Sequence, residues 1–408
     1  MTKVDILILG ATGFTGKFVA RDLYRLKRSN DPRVKDLTWA IGGRNVKKLE
    51  DSLRAAISRA RLVINCVGPF RFTGVDVVSV CIELGCDYVD IAGEPEFVER
   101  ILVLNAQAEA SKVTVVPCCG FDCVPAEFGN MFVKQEFRKK NYTATSVEMF
   151  INVTYGPSGA CGNYATYESA VQSLANAHIL RNLRKAAARQ PLRILGKKLP
   201  LYGNPRYEKL FTRSWCVPFF GADASIVRIS QQLVQTKSAL PATQFNVAYF
   251  AVGSVFQVMR LVFFGMSMYY LSGLSFGRKL LLDYPAFFSL GMFRKAGPSD
   301  KQIQESGFVS TFSAKGFKRL ANVDSIDSFA SPEYEIVAKV TGPEVGYVTT
   351  PITVICCALK IISERKKKTT KVPFGVLTPA AAFGETDLIQ DLKNSGIEFK
   401  IDSEHDLI

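Results

Sequence analysis

The first residues able to do chemistry are the glycines of Gly10-Ala11-Thr12-Gly13-Phe14-Thr15-Gly16. They follow an apolar run of strand character, Val4 to Leu9, and precede a helix-like stretch, Lys17 to Arg28. Glycines between a strand and a helix at this spacing form the anion cradle of a dinucleotide-binding unit. The first allows the tight turn, the second lets the backbone approach a pyrophosphate, and the third lets helix and strand pack closely. The ligand would lie on the unpaired N–H groups and positive dipole of the helix start. All seven turn residues are therefore candidate cofactor contacts. The alternative is a tight turn with no ligand.

Arg44 follows the second strand-like run, Leu37 to Ile41, and Gly42-Gly43. An acid at that point would hold a ribose hydroxyl, whereas an Arg accepts a 2′-phosphate bidentately. This favours NADP, with NAD left open; the plain alternative is a surface Arg opening the next helix. Asn65-Cys66-Val67-Gly68-Pro69 ends a third strand at the carboxyl edge of the sheet and is expected to face the cofactor ribose or nicotinamide. Asp90, Glu94 and Asp122 are also expected at carboxyl ends of strands. Each reads more simply as a helix cap or loop brace than as an acid catalyst. No Tyr-x-x-x-Lys pair stands out, and no residue is assigned a catalytic role.

The elements that must position these residues alternate. Expected helices run from Asn45 (as N-cap) to Arg59, Gly74 to Leu84 and Pro95 to Ser111, with strands at Tyr88–Ile91 and Val113–Val116. Such alternation specifies a parallel sheet of Rossmann type within residues 1–140. A second, α+β domain with a largely antiparallel sheet is expected over 141–350. Its strands are expected at 146–155, 307–313 and 334–341, a helix at 164–189 and a loop at 191–220. Residues 351–408 should pack back on the fold as helix and strand. The run Arg365 to Lys368 reads as a solvated face.

Composition narrows the class. The 408 residues carry net charge +14, ten Cys and two His. No nucleic-acid motif accompanies the charge, so no nucleic-acid partner is expected. A phosphate-bearing cofactor or an anionic membrane explains its sign. The Cys spacing matches no zinc pattern; buried reduced thiols are expected and no metal site. Histidine-dependent catalysis is disfavoured.

Asn246 to Phe276 contains one charge, Arg260, and a second apolar patch runs from Leu280 to Phe293. The segment 246–293 is preferred as an interfacial or hairpin element on a membrane or lipid droplet, with Arg278, Lys279, Arg294 and Lys295 near headgroups. A buried helix and a true span are the alternatives; the central Arg and the glycines weigh against the span.

Several further motifs accompany the glycine turn: Gly43-Arg44, Asn65 to Phe70, Asp90-Ile91-Ala92-Gly93-Glu94, and Gly120-Phe121-Asp122 with Pro125. Gly342-Pro343-Glu344, Gly346-Tyr347, Thr350-Pro351 and Gly375 to Phe383 follow. Together they resemble the saccharopine dehydrogenase-like oxidoreductases, a family similar to saccharopine reductases and trans-acting enoyl reductases. The resemblance spans essentially the whole chain. It implies oxidoreductase activity, association with lipid droplets or membranes and a role in lipid or glycolipid metabolism, not saccharopine as substrate. The expected compartment is a lipid droplet or intracellular membrane surface, with the mitochondrion as another. A homo-oligomer is left open. One departure stands out: about 30 residues, one βα unit, are missing near Ala56 to Arg59, which would leave the sheet one strand short. A rival reading is therefore a non-catalytic membrane or droplet protein on a Rossmann scaffold.

Overall fold

The computed structural model describes residues 3–42, 49–192, 194–199, 204–219, 221–235, 241–245, 248–320 and 330–407. Its first half alternates strand and helix: β1 (Val4–Leu9), α1 (Phe14–Arg28), β2 (Trp39–Gly42), α2 (Leu49–Ile57) and β3 (Ala60–Asn65). Then come α3 (Phe70–Glu83), β4 (Asp87–Asp90), α4 (Pro95–Leu102), α5 (Asn105–Ala110) and β5 (Thr114–Val116). Helix α6 (Val124–Lys139) leads to β6 (Thr143–Thr154), β7 (Gly162–Asn163), α7 (Tyr164–Ala175) and α8 (Ala177–Ala187). Next are β8 (Arg206–Glu208), β9 (Ser214–Phe219), α9 (Asp223–Gln235), β10 (Ala248–Val252), α10 (Val255–Ser272), α11 (Ser275–Asp283), α12 (Pro285–Phe288) and β11 (Phe293–Arg294). The chain finishes with α13 (Asp300–Gln304), β12 (Gly307–Phe317), β13 (Tyr334–Pro343), a π-helical turn (Val345–Thr349), α14 (Thr350–Lys366), β14 (Gly375–Val376), α15 (Pro379–Phe383), α16 (Leu388–Asn394) and β15 (Glu398–Asp406).

Six strands form the first sheet in the order β14-β5-β4-β3-β1-β2, all parallel. Its central strands are apolar on both faces because helices cover both. Strand β2 is an edge, with Ile41 exposed, as expected of a sheet lacking the next βα unit. The second sheet runs β15-β13-β12-β6-β10-β9-β8 and is antiparallel except at β6–β10.

The C-terminal segment belongs to both sheets. Its β14 completes the first and β15 the second. Helix α14 is mostly apolar up to Ile362 because it is enclosed: Val354, Ile355, Ala358 and Ile361 share a core with Ile6, Ile8, Ile64 and Val89, and buried Lys360 is paired with Asp387 and Asp391. That core continues through Phe128 to Phe312 on β12. Gly129 permits the approach, since a Cβ there would lie 2.1 Å from the Phe312 ring. Arg365 departs from the expected solvated run: it stacks 4.0 Å over Phe374 and donates to Val372 O.

The expected loop 191–220 contains β8 and β9, and the long helix expected from 164 to 189 is two helices meeting at Asn176. The apolar stretch is also divided. Ala248–Val252 is strand β10, whereas α10, α11 and α12 form an external array. Among the described residues, two helical spans are long and apolar enough to cross a membrane, but their settings differ. Only 17% of the α10 window is buried, against 83% of Val345–Lys366, which is a core helix by that measure. Helix α10 is therefore not enclosed within this chain as the buried-helix alternative expects. One stripe of the array packs on α7, where Met268 and Leu281 meet Tyr167 and Val171. Phe256, Phe263, Tyr269, Tyr270, Phe276 and Phe287 remain exposed.

Candidate active site

The glycine turn and the β3 loop come together at the carboxyl edge of the first sheet. Gly10 has φ +80°, and a Cβ there would lie 2.8 Å from Val67 Cγ2 and 3.1 Å from the Cys66 carbonyl carbon. Gly16 is tighter, with a Cβ position 2.1 Å from Gly10 O. Gly13 donates to Gly10 O at 2.8 Å and caps α1. No side chain caps this helix, and its first turn has no acidic residue. The opening N–H groups of Phe14, Thr15 and Gly16 therefore lack intrahelical acceptors and face a position built for an anion. These residues fit a pyrophosphate. Ala11 is buried in the turn and Thr12 is exposed at its crest.

Phe14 serves differently from its neighbours. Its ring leaves the turn and meets Tyr347 at 4.8 Å and Phe18 at 5.8 Å. Tyr347 Oη in turn accepts from Asn163 N at 2.9 Å. The side chain bolts the turn to the second domain, and only its backbone N–H is available to an anion. Arg44 and Asn45 lie outside the described residues.

Asn65 is fully buried and braces its own loop. Its Oδ1 accepts from Val67 N at 3.0 Å, and its Nδ2 donates to Tyr88 Oη at 3.1 Å. Tyr88 donates to Asp90 Oδ2 at 2.9 Å, and Asp90 Oδ1 accepts from Ala92 N and Cys118 N. One network thus fixes the loops after β3, β4 and β5. Cys66, Val67, Gly68 and Pro69 form the half-exposed wall of the edge, and Gly68–Pro69 is cis. Burial pushes the Cys66 thiol up to about 12 and the Asp90 carboxyl up to about 7.

A carboxyl raised on folding holds its proton better in the native state than in the unfolded chain. Asp90 therefore favours the fold most below pH 4, and that contribution falls as pH rises towards 7. Asp90→Asn is expected to flatten the profile: denaturant unfolding at pH 5 and pH 8 should show a pH-dependent loss in the parent that shrinks by about 1 kcal/mol or more in the variant. An unchanged difference would remove Asp90 as its source.

Glu94 acts as a cap. Its two oxygens accept from Phe70 N and Arg71 N at 2.9 and 3.0 Å, closing the start of α3, and Ser169 Oγ donates to it at 3.0 Å. Arg71 donates to Gln172 O and pairs with buried Glu96. Helix α7 is thereby pinned across the carboxyl edge, with its other face on the α10–α11 array. Asp122 is half-buried on the β5 loop. Gly93 lets the β4 loop approach it, and burial pushes its carboxyl up to about 6. Behind it, burial raises Asp223 and Glu127; Glu127 is held by Ser230 and Ala380 N. Ser169 and Asp223 are not identifiable as site residues from the sequence, because α7 and α9 reach this edge from distant sequence; Arg71 and Glu127 stand beside the Asn65 to Phe70 and Gly120 to Pro125 motifs but carry no signal of their own, and Tyr347 stands in a family motif that gives it no role.

A parallel sheet with an uncapped glycine turn at its carboxyl edge, joined to a second sheet domain, defines a protein of the dinucleotide-binding class. Residues 6–116 match the saccharopine dehydrogenase NADP binding domain. The chain is 35% identical over 452 aligned positions to "Probable mitochondrial saccharopine dehydrogenase-like oxidoreductase" of Arabidopsis thaliana, covering 97% of this chain and 96% of that protein. It is 31% identical over 440 positions to "Lipid droplet localized protein" of Caenorhabditis elegans, covering all of both. Apo saccharopine dehydrogenase (L-Glu forming) of Saccharomyces cerevisiae shares the fold with TM-score 0.56 and 14% identity, over 99% of this chain and 100% of that one.

The chain belongs to the saccharopine dehydrogenase-like oxidoreductases, and its nucleotide domain is an NADP-binding domain. Both alignments are longer than the 408 residues here. Residues of each relative therefore have no counterpart in this chain, consistent with a sheet that stops at β2.

Proposed function

We propose that this oxidoreductase moves a hydride between NADP and a lipid-like substrate at the surface of a lipid droplet or intracellular membrane, in lipid or glycolipid metabolism. The observation that carries this reading is the exposed apolar face of α10–α12, linked through α7 to the edge where the cofactor would lie. Tyr167 and Val171 of α7 touch the array, while Ser169 and Gln172 hold Glu94 and Arg71. Arg260 suits an interfacial position because its guanidinium donates to Leu290 O, within the array, at 3.0 Å. The name of the worm relative supports a droplet surface, and that of the plant relative makes the mitochondrion an alternative compartment.

When bound, the nicotinamide supplies the hydride chemistry. The chain's part is binding and order. The turn at Gly10 to Gly16 holds the pyrophosphate, and the Asn65–Tyr88–Asp90 network fixes the wall beside it. Glu94 and α7 keep bulk water from one side of the edge. Arg44→Ala is expected to weaken NADPH about tenfold more than NADH in fluorescence titrations, the loss of one charge-assisted phosphate contact. Equal loss for both would remove the 2′-phosphate role. The non-catalytic droplet protein is the second reading, favoured by the edge at β2. It requires flotation with droplets and no NADPH binding.

A further inference from the structure

Along α8 and α9, cations outnumber the acids that face them. Arg181, Arg184 and Lys185 lie on α8, and Arg189 follows it. The buried acid Glu99, on α4, is already engaged by Arg189 through both oxygens, with Arg184 Nε at 3.5 Å. Arg184 also donates to Ser225 Oγ on α9, and Arg228 follows one turn later on the same face. Burial and the nearby Arg184 charge lower the Arg228 guanidinium from its usual value. Among the described residues, no carboxylate pairs with Arg181, Lys185 or Arg228.

Two hollows accompany these cations. One is an open surface groove along α8, lined by Ala177, Leu180, Arg181, Arg184 and Lys185. Another of about 230 Å³ includes Arg228, Leu192 and Phe245. The first places two guanidinium groups and an ammonium beside apolar side chains, the second one guanidinium. Cations in excess of the one acid that faces them, Glu99, favour an external anion, and a guanidinium grips phosphate oxygens in pairs.

We propose that the α8–α9 face docks on anionic phospholipid headgroups, a second contact beside the apolar array. This rests on the lipid-surface reading above and adds the chemistry of that surface. Apolar insertion plus a cationic patch is the pairing that gives stable attachment where one signal is marginal.

The test uses the full chain with vesicles of phosphatidylcholine alone or mixed with phosphatidylserine. The parent is expected to bind both, and the mixed vesicles more tightly. Joint Arg181→Gln, Lys185→Gln and Arg228→Gln changes are expected to cut binding to the mixed vesicles about 100-fold while leaving neutral-vesicle binding and the thermal melt unchanged. Equal binding of parent and variant to mixed vesicles would overturn the proposal. A thermal shift with inorganic phosphate, without preference for anionic vesicles, would assign the face to a free anion and overturn it also. So would binding of a nucleic-acid oligomer that the triple change abolishes, if the vesicle preference stays intact. Failure of the parent on neutral vesicles, with the mixed-vesicle effect preserved, would instead count against insertion of the apolar array.

Discussion

Gly16→Ala is expected to abolish measurable NADPH binding and to lower the melting temperature. The added Cβ would lie 2.1 Å from Gly10 O and 2.7 Å from Gly10 C, both backbone atoms. No side-chain rotation relieves that contact, so α1 must move away from the turn. Overpacking of this kind costs about 1–3 kcal/mol in stability. Displacing the helix start also separates its N–H groups from the anion position, so an affinity loss of at least about 100-fold is expected. Gly13→Ala separates the two effects. Its φ of −73° suits alanine, and the new Cβ would lie 3.1 Å from Gly10 O. That variant should melt near the parent yet bind NADPH about tenfold more weakly, because the methyl group occupies the approach to the pyrophosphate. Parent-like titrations for both variants would show that the turn does not hold the cofactor.

Joint Phe256→Asp and Phe276→Asp changes are expected to release the chain from lipid. The two rings are 73% and 76% exposed, so neither supports the fold through burial. Surface changes of this kind alter stability by only about 0.5 kcal/mol. On a lipid surface, each ring contributes about 1.5–3 kcal/mol by burial, and each new carboxylate opposes insertion. Flotation with droplets or neutral vesicles should fall by at least about 100-fold, while NADPH titrations stay at the parent value. Undiminished flotation would mean that the array faces something other than lipid. A parallel loss of NADPH binding would show that the array holds up the nucleotide domain.

The parts of this molecule governed by local pattern are the parts that could be read directly. The strand–glycine–helix opening and the alternating elements up to Val116 follow from periodicity and turn chemistry, whereas the edge left by the shortened crossover shows only against the family pattern. Glycine spacing also located the cradle, because backbone conformation at Gly10 is a local demand. Other features depend on distant partners. Helices α6 and α9 were not assigned. Their faces are set by sheets that assemble from far-apart segments, and Gly129 on α6 is explained only by Phe312. The segment 206–219 looked like loop because its aromatic and polar residues pair across a short hairpin and with β10. Phe14 belonged to the expected cofactor set by position, yet its ring answers to Tyr347, more than 300 residues away. The acids Asp90 and Glu94 fell where expected, and their bonding shows braces and caps.

The most direct test titrates NADPH into full-length protein that has first been floated on droplets or vesicles. Saturable binding at micromolar concentrations, about −8 kcal/mol, and tighter for NADPH than for NADH, is the predicted result. Protein that floats but shows no saturation up to about 1 mM NADPH, a limit of about −4 kcal/mol, would contradict the account and leave a lipid-surface protein without a working cofactor site.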